Sequence, residues 1–366
     1  MKRNELHVIY GTNIEKMTYE LLTKINLAKD LKPNMRIALK PNFVVAKEAS
    51  SGATTHPQIA EGVIRYLKDN GMEHIAIMEG SWVGDQTKRA FKVCGYDKLA
   101  AKYNVPLYDL KEDQYVERQV EDIKMQICRK PLLETDFLIN LPVLKAHCQT
   151  GMTCALKNMK GCLTDAEKRH FHQLGLMKPI AYLNTILKPQ LTIVDAICGD
   201  LTFEEGGNPV HMDRLIAGVD SVLIDAYGCQ LLGFAVEDIE YLGIAERKGV
   251  GSTDLTKAEL HEYNTEAKTQ SQFVSSRLSQ RLGKNVVADK ACSACYGSLI
   301  HALHRLDENG IKVNKKLFIG QGFKGKSEAG LGIGSCTHCF AHSLAGCPPT
   351  AKAMVEFLQK EQVTRG

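Results

Sequence analysis

Tryptophan is nearly absent from the 366-residue chain, which has one, and aromatic residues together make up only 7%. No aromatic-rich basic stretch offers a surface on which bases could stack, and 46 Lys+Arg against 42 Asp+Glu leave a formal net charge of only +4. Bulk electrostatics therefore give no reason to expect nucleic acid as a partner. Long apolar runs are missing as well. The most apolar stretch, residues 215 to 236, is interrupted by Asp220, Asp225 and glycines, so no membrane span is expected. The opening MKRNELHVIYGTNIEK has charges but no apolar leader core. The expectation is a cytoplasmic protein with no membrane partner. There is no Walker motif, no nucleophile elbow, no H-E-x-x-H, no internal repeat and no low-complexity tract.

What the chain has in excess is cysteine: twelve of them. In a reducing compartment, clustered cysteines point to metal or catalysis rather than to disulfides. Hydrophobic residues at 44% and charged residues at 24% are the balance of a globular protein, and the length suits one large α/β domain with an appendage.

The first half alternates strand and helix patterns. Apolar runs at 35–39, 74–78, 137–141, 191–194 and 222–224 read as strands, and helical spacing appears at 15–29 and 57–70. Pro57 in a first turn after Thr55 or His56, and Gly71 just past the end, bracket the second helix. This alternation predicts an α/β fold, a mostly parallel sheet with helices on both faces. The expected organisation is an α/β domain over 1–250, a polar connecting excursion over 251–285, and a cysteine-bearing unit over 286–366.

In such sheets functional residues gather at the carboxyl ends of strands. Lys40, Asn42, Glu79, Lys145 and Asp195 all follow strand-like runs, with Asp225 after the run at 222–224. The stretch LKAHCQTGMTCALKNMKGCL (144–163) places Lys145 and His147 in a loop. It then suggests a helix from Gly151 to Lys160, with Thr150 as its cap and Lys157 and Lys160 on one face. Lys145, His147, Lys157 and Lys160 are enough positive charge to hold a carboxylate or phosphate, aided by a helix N-terminus, and Lys40, Asn42 and Thr54-Thr55-His56 strengthen that reading. The candidate substrate-binding set is Lys40, Asn42, His56, Lys145, His147, Lys157, Asn158 and Lys160. Lys145, His147 and Lys157 are the catalytic candidates. The alternative is a solvated basic helix face or a structural ion-pair network. Cys148, Cys154 and Cys162 lie in the same stretch, where cations could activate a thiolate. Cys94, Cys128 and Cys229 read as small buried hydrophobes. His170, His172 and His211 read as histidines of polar loops.

The last eighty residues carry Cys292-Ser-Ala-Cys295, Cys336-Thr-His-Cys339 and Cys347-Pro348. Two C-x-x-C pairs suit a tetrahedral zinc site, in which His338 or His342 could substitute. Four thiolates with a Cys-Pro after the last suit an iron–sulfur cluster. Gly346 allows close approach of the backbone, and the loop 330–334 offers N–H donors to cluster sulfur. Gly320-Gln-Gly-Phe-Lys-Gly325 matches a dinucleotide fingerprint in spelling, but no helix follows and no acid lies about twenty residues on.

The stretches LKPNFV, TTHPQIAEGVIRYLKDNG, DFLINLPVLKAH, GMTCALKNMKG, LTIVDAI and SVLIDAYGCQLLG resemble the family called domain of unknown function 362. The tail pieces ACSACYGSLIHAL and GIGSCTHCFAHSLAGCPP resemble the iron–sulfur ending of many members. The resemblance implies a [4Fe–4S] cluster rather than zinc, with Cys292, Cys295, Cys336 and Cys347 as ligands and Cys339 as the alternative. It implies no reaction. Full ligation by thiolates favours redox work, an open iron lyase chemistry. The expected function is an enzyme acting on a small anion, with a ferredoxin- or flavodoxin-type redox partner. The rival is a non-enzymatic, ferredoxin-like carrier or a cluster sensor.

Overall fold

The computed structural model describes residues 1–202, 204–269 and 278–363. Its strands are β1 (Glu5–Tyr10), β2 (Ile37–Lys40), β3 (Ile75–Glu79), β4 (Leu107–Asp109), β5 (Tyr115–Val120), β6 (Ile123–Cys128), β7 (Phe137–Asn140) and β8 (Lys145–His147). They continue with β9 (Gly151–Thr153), β10 (Leu191–Asp200), β11 (Pro209–Gly218), β12 (Glu259–Tyr263), β13 (Val286–Ala288), β14 (Leu317–Ile319), β15 (Leu331–Ile333) and β16 (His342–Leu344). An eight-stranded sheet has the order β12-β1-β11-β10-β7-β2-β3-β4. Only β11 runs against its neighbours in this sheet, so it is mostly parallel, as the strand–helix alternation predicts.

Side chains alternate across a strand. Ile37 and Leu39 of β2, Ile75 and Ile77 of β3, and Ile139 of β7 point into one core with the helices Ile14–Lys24 and Pro57–Asp69. Ala38, Lys40 and Asn140 are therefore sent to the other face, where they are buried too. Lys40 and Asn140 are register partners on β2 and β7. Burial on both faces is why these strands read as continuous apolar runs. His56 caps the helix Pro57–Asp69, with Pro57 at its first position.

Three readings of the sequence are corrected. Residues 222–224 are not a strand. They open the helix Ser221–Leu232, which Asp220 caps by accepting the N–H groups of Val222 and Leu223. An apolar helix buried nearly all round has the same local pattern as a buried strand. The stretch 151–160 is not one helix: Gly151–Thr153 pairs with Lys145–His147 as a hairpin, and only then come the turns Ala155–Asn158 and Met159–Cys162. Lys145 and His147 thus sit on a strand, and Thr150 is in the hairpin turn rather than at a helix cap. His170 and His172 lie on the helix Asp165–Gln173 and His211 on β11, rather than in loops.

The chain divides into two compact units, Met1–Lys168 with Met177–Ser275, and Arg169–Leu176 with Ser276–Gly366. Of the polar excursion at 251–285, residues 259–263 form β12, which pairs in parallel with β1. Residues 270–277 lie outside those described. The second unit has a four-stranded parallel sheet, β13-β14-β15-β16, and the helices Ser293–Glu308 and Ala351–Val363, which pack on each other. Phe318, Phe323 and Phe340 form a small aromatic core there, with ring centroids 5.2 to 6.0 Å apart.

Candidate functional site

The carboxyl ends of β2 and β7, the following loops and the β8–β9 hairpin bring a polar cluster together inside the first unit. Lys145, at 0% exposure, donates from Nζ to Asn42 Oδ1 at 2.8 Å and to the Ala53 carbonyl. Asn42 Nδ2 donates to Asn158 Oδ1 at 2.8 Å, and Asn158 Nδ2 donates to Asn140 Oδ1 at 2.8 Å. Asn140 Nδ2 closes the chain on the Ala155 carbonyl at 3.0 Å. Each amide gives its hydrogens to the next, so Asn42 presents an oxygen to Lys145. Thr55 steadies the same loop: its hydroxyl donates to the Leu141 carbonyl and accepts the Asn42 N–H.

Lys157 and Lys160 are half-buried, and Lys157 donates to Thr153 Oγ1 at 3.0 Å. Burial first, and then the neighbouring Lys157 charge, press Lys145 down to about 7. Burial presses Lys157 down to about 8 and, with Lys157 and Lys168 nearby, holds Lys160 well below the usual lysine range.

Glu204 is the carboxylate of this cluster. It accepts the Cys148 N–H at 3.2 Å and the Cys148 S–H at 3.1 Å, and His147 Nε2 lies 3.4 Å away. His147, Cys148 and Glu204 have ligand atoms within 4.8 Å of one another, a donor set that could meet a metal. Yet His147 Nδ1 accepts the N–H groups of Gln149 and Thr150 at 3.1 and 3.2 Å. That places the ring proton on Nε2, the nitrogen facing Glu204, where it serves a hydrogen bond better than a metal bond. Burial pushes the Cys148 and Cys154 thiols far up and Cys162 to about 12, so the nearby cations leave no thiolate there.

Other expected members have partners of their own. Lys40 is fully buried and pairs with Glu79 at 2.5 Å. Burial raises the Glu79 carboxyl and Lys40 opposes the shift. Gly161 makes room for this pair: a Cβ there would lie 2.4 Å from Glu79 Oε1 and 2.6 Å from Lys40 Nζ. His56 gives its ring Nδ1 and its backbone N–H to Asp195 Oδ2, at 2.9 and 2.8 Å. Burial would lower this ring's affinity for a proton, but the Asp195 carboxylate outweighs burial and raises it. Asp225 is not at the sheet edge. It caps the short helix Ala155–Asn158 by accepting the N–H groups of Ala155 and Leu156, so that terminus is already filled by a carboxylate and is closed to a ligand anion. The sequence reading missed Asn140 and Glu204. Asn140 ends a strand just as Lys40 does, which was the available signal; Glu204 had none.

In the second unit, Cys292 caps the helix Ser293–Glu308 and Cys295 sits in its first turn. Cys336 lies in the turn Ser335–Thr337, and Cys347 precedes Pro348. The last two loops are laced together: Ser335 N–H donates to the Gly346 carbonyl at 2.8 Å and Gly346 N–H to Ser335 Oγ at 3.1 Å. Gly334, with φ +90°, passes close by; a Cβ there would stand 3.2 Å from Cys295 Sγ. Cys295 is raised to about 12 by burial and by Cys292, Cys336 and Cys347, so these four thiols share one neighbourhood. Cys339 is exposed and meets His338 Nε2 at 3.3 Å instead. A single zinc with bonds of about 2.3 Å would draw its thiolates to about 3.8 Å apart. Among the described residues, the sets of three or more ligands within 4.8 Å of one another contain none of these thiols. The loop 330–334 is less open than expected: the Leu331 N–H goes to the Lys316 carbonyl and the Gly334 N–H to the Leu344 carbonyl. Gln321 Nε2 donates to Cys292 Sγ at 3.6 Å, and Gln173 Nε2 donates to Gln321 Oε1 at 3.2 Å.

No helix among the described residues is long and apolar enough to cross a membrane. The chain is 25% identical over 217 residues to "Thylakoid-associated protein sll1697" of Synechocystis, covering 57% of this chain and 64% of that protein. It thus spans less than two thirds of that relative. Two solved structures are distantly similar at 13% identity. One is a protein from Thermotoga maritima (TM-score 0.37, 65% of this chain and 60% of that one). The other is the lactate racemase apoprotein from Thermoanaerobacterium thermosaccharolyticum (TM-score 0.41, 62% and 56%). The pattern of the family described as "Domain of unknown function (DUF362)" matches residues 37–230, more than half of the chain, and the protein belongs to that family.

Proposed function

We propose that the protein carries a [4Fe–4S] cluster on Cys292, Cys295, Cys336 and Cys347, and that it is a redox or lyase-type enzyme for a small carboxylate or phosphate. The observation that carries this reading is the convergence of four thiols from three separate segments, while Cys339 turns to His338. Such a cluster supplies a one-electron centre, or a Lewis-acidic iron if one position is open; four thiol ligands favour the electron role. In the first unit Lys157 and Lys160 hold the anion, with Lys145 and His147 behind them. Asn42 and Asn158 fix Lys145, and Thr153 orients Lys157. A cytoplasmic location belongs to the same reading, because a reducing compartment keeps the thiols available.

Anaerobic purification followed by iron and sulfide analysis and EPR tests the cluster. The expected content is about four iron and four sulfide per chain. Zinc without sulfide would overturn the reading.

The second reading is a carrier of electrons to or from a ferredoxin- or flavodoxin-type partner. The exposure of Cys347 favours it, since a cluster there would lie near the surface. A carrier has no use for several lysines in one cleft. Calorimetry with malonate and inorganic phosphate separates the two: heat that disappears in Lys157→Gln supports the enzyme, and no heat supports the carrier.

A further inference from the structure

Lys145 stands apart from the other lysines of the cluster. It is 0% exposed and, among the described residues, forms no ion pair. Among the described residues its nitrogen has two protein acceptors, Asn42 Oδ1 and the Ala53 carbonyl. An ammonium has three hydrogens to place; a neutral amine has two and keeps a lone pair. Two acceptors satisfy the amine completely and leave the ammonium with one hydrogen unserved in a buried site. The arrangement cannot adjust by turning Asn42, because Asn158, Asn140 and Ala155 fix which end of that amide faces the lysine. The nearby Lys157 adds a like charge that disfavours a second cation, while Glu204, Asp200 and Glu205, each acting more weakly than Lys157, oppose it. The site therefore holds its buried lysine ready to give an electron pair, with the half-buried Lys157 close by.

We propose that Lys145 acts as an uncharged amine that forms an imine with the carbonyl carbon of a small oxo-acid whose carboxylate is held by Lys157 and Lys160. This rests on the anion-site reading above and names its substrate class. In the step, the Nζ lone pair attacks the carbonyl carbon. The carbonyl oxygen then leaves as water, carrying off the two amine hydrogens, and a C=N bond remains. No oxidant or reductant is consumed. The imine draws electrons from the adjacent carbon, which suits either proton removal or bond cleavage there. Because Lys145 is fully buried whereas Lys157 and Lys160 are half-buried, the smallest oxo-acids are the ones expected to reach it.

The test uses the full chain, glyoxylate and cyanoborohydride, which reduces an imine to a stable carboxymethyl-lysine, with peptide mapping by mass spectrometry. At about pH 8 Lys145 should be labelled at least about tenfold faster than exposed Lys88 and Lys257, since those remain almost wholly protonated there. Inorganic phosphate should slow the labelling of Lys145 and leave Lys88 unaffected. A lysine that only braces the fold would instead be among the last to react, because it is fully buried. If calorimetry shows glyoxylate bound while Lys145 stays unlabelled, the imine is overturned and the anion site stands. If glyoxylate neither binds nor labels Lys145, both fall.

Discussion

Lys145 Nζ and Asn42 Oδ1 face each other at 2.8 Å with both residues buried, and the amide oxygen is held there by a chain of amides that starts on the Ala155 carbonyl. The geometry makes Asn42 a determinant of the state of Lys145. Asn42→Leu removes one acceptor from Lys145 and one donor from Asn158. Each buried group left unsatisfied costs about 1–3 kcal/mol, so the urea midpoint should fall clearly. A midpoint within error of the parent would show that the amide chain does not stabilise the fold.

Gly161→Ala should be destabilising by about 1–3 kcal/mol, the usual penalty for forcing atoms into a filled core. The added methyl would meet both the Glu79 carboxylate and Lys40 Nζ. Thermal unfolding of the variant beside the parent measures it. The same change at Gly310, where a Cβ meets nothing within 4 Å, is not a neutral control because φ there is +73°.

Asp225 gives a stability that depends on pH. Burial raises its carboxyl to about 7, against about 3.9 in an unfolded chain. Between those values the folded state binds the extra proton. Its contribution is fully present below about pH 4 and is lost as pH rises through about 7. Asp225→Asn should remove this part of the slope, so urea midpoints at about pH 5 and pH 8 should lie closer together than in the parent. An unchanged difference between them would contradict the assignment.

Much of this was legible from residue order. Strand–helix alternation, the Pro57 start and the Lys-Pro-Asn after β2 are local signals, and local signals survive folding. The structure adds the pairings that only tertiary contact creates. Strand-end position puts Lys40 and Glu79 at one sheet edge without naming them as a pair, and nothing near Asp225 announces the N–H groups of Ala155 and Leu156. The error at 222–224 has a different cause. A helix buried all round and a buried strand have no periodic difference over three residues, although Asp220 as a cap could have separated them. The charges beside the thiols of 148–162 suggest activation, but burial is the larger effect.

In the second unit, Cys347→Ala should abolish the iron and sulfide bound under anaerobic purification, whereas Cys339→Ala should retain both. Loss in the second variant would exchange the roles of the two cysteines. Visible absorption and chemical iron assay read the difference.

Gln321→Leu should move the reduction potential of the proposed cluster to more negative values, because an N–H to the sulfur of Cys292, its proposed ligand, favours the more electron-rich state. Potentiometric titration followed by EPR reads the shift. Iron and sulfide content should be unchanged, which separates tuning from loss of the cluster.

The three linked amides Asn140, Asn158 and Asn42 have one further consequence, for how this sequence can diverge. Each link matches a donor to an acceptor on both sides. Changing one side chain leaves two mismatched neighbours, and reversing one amide requires the next to reverse as well. Positions 42, 140 and 158, with 145 at the end of the line, should therefore change as a set among relatives, as a shared inheritance rather than as four independent residues.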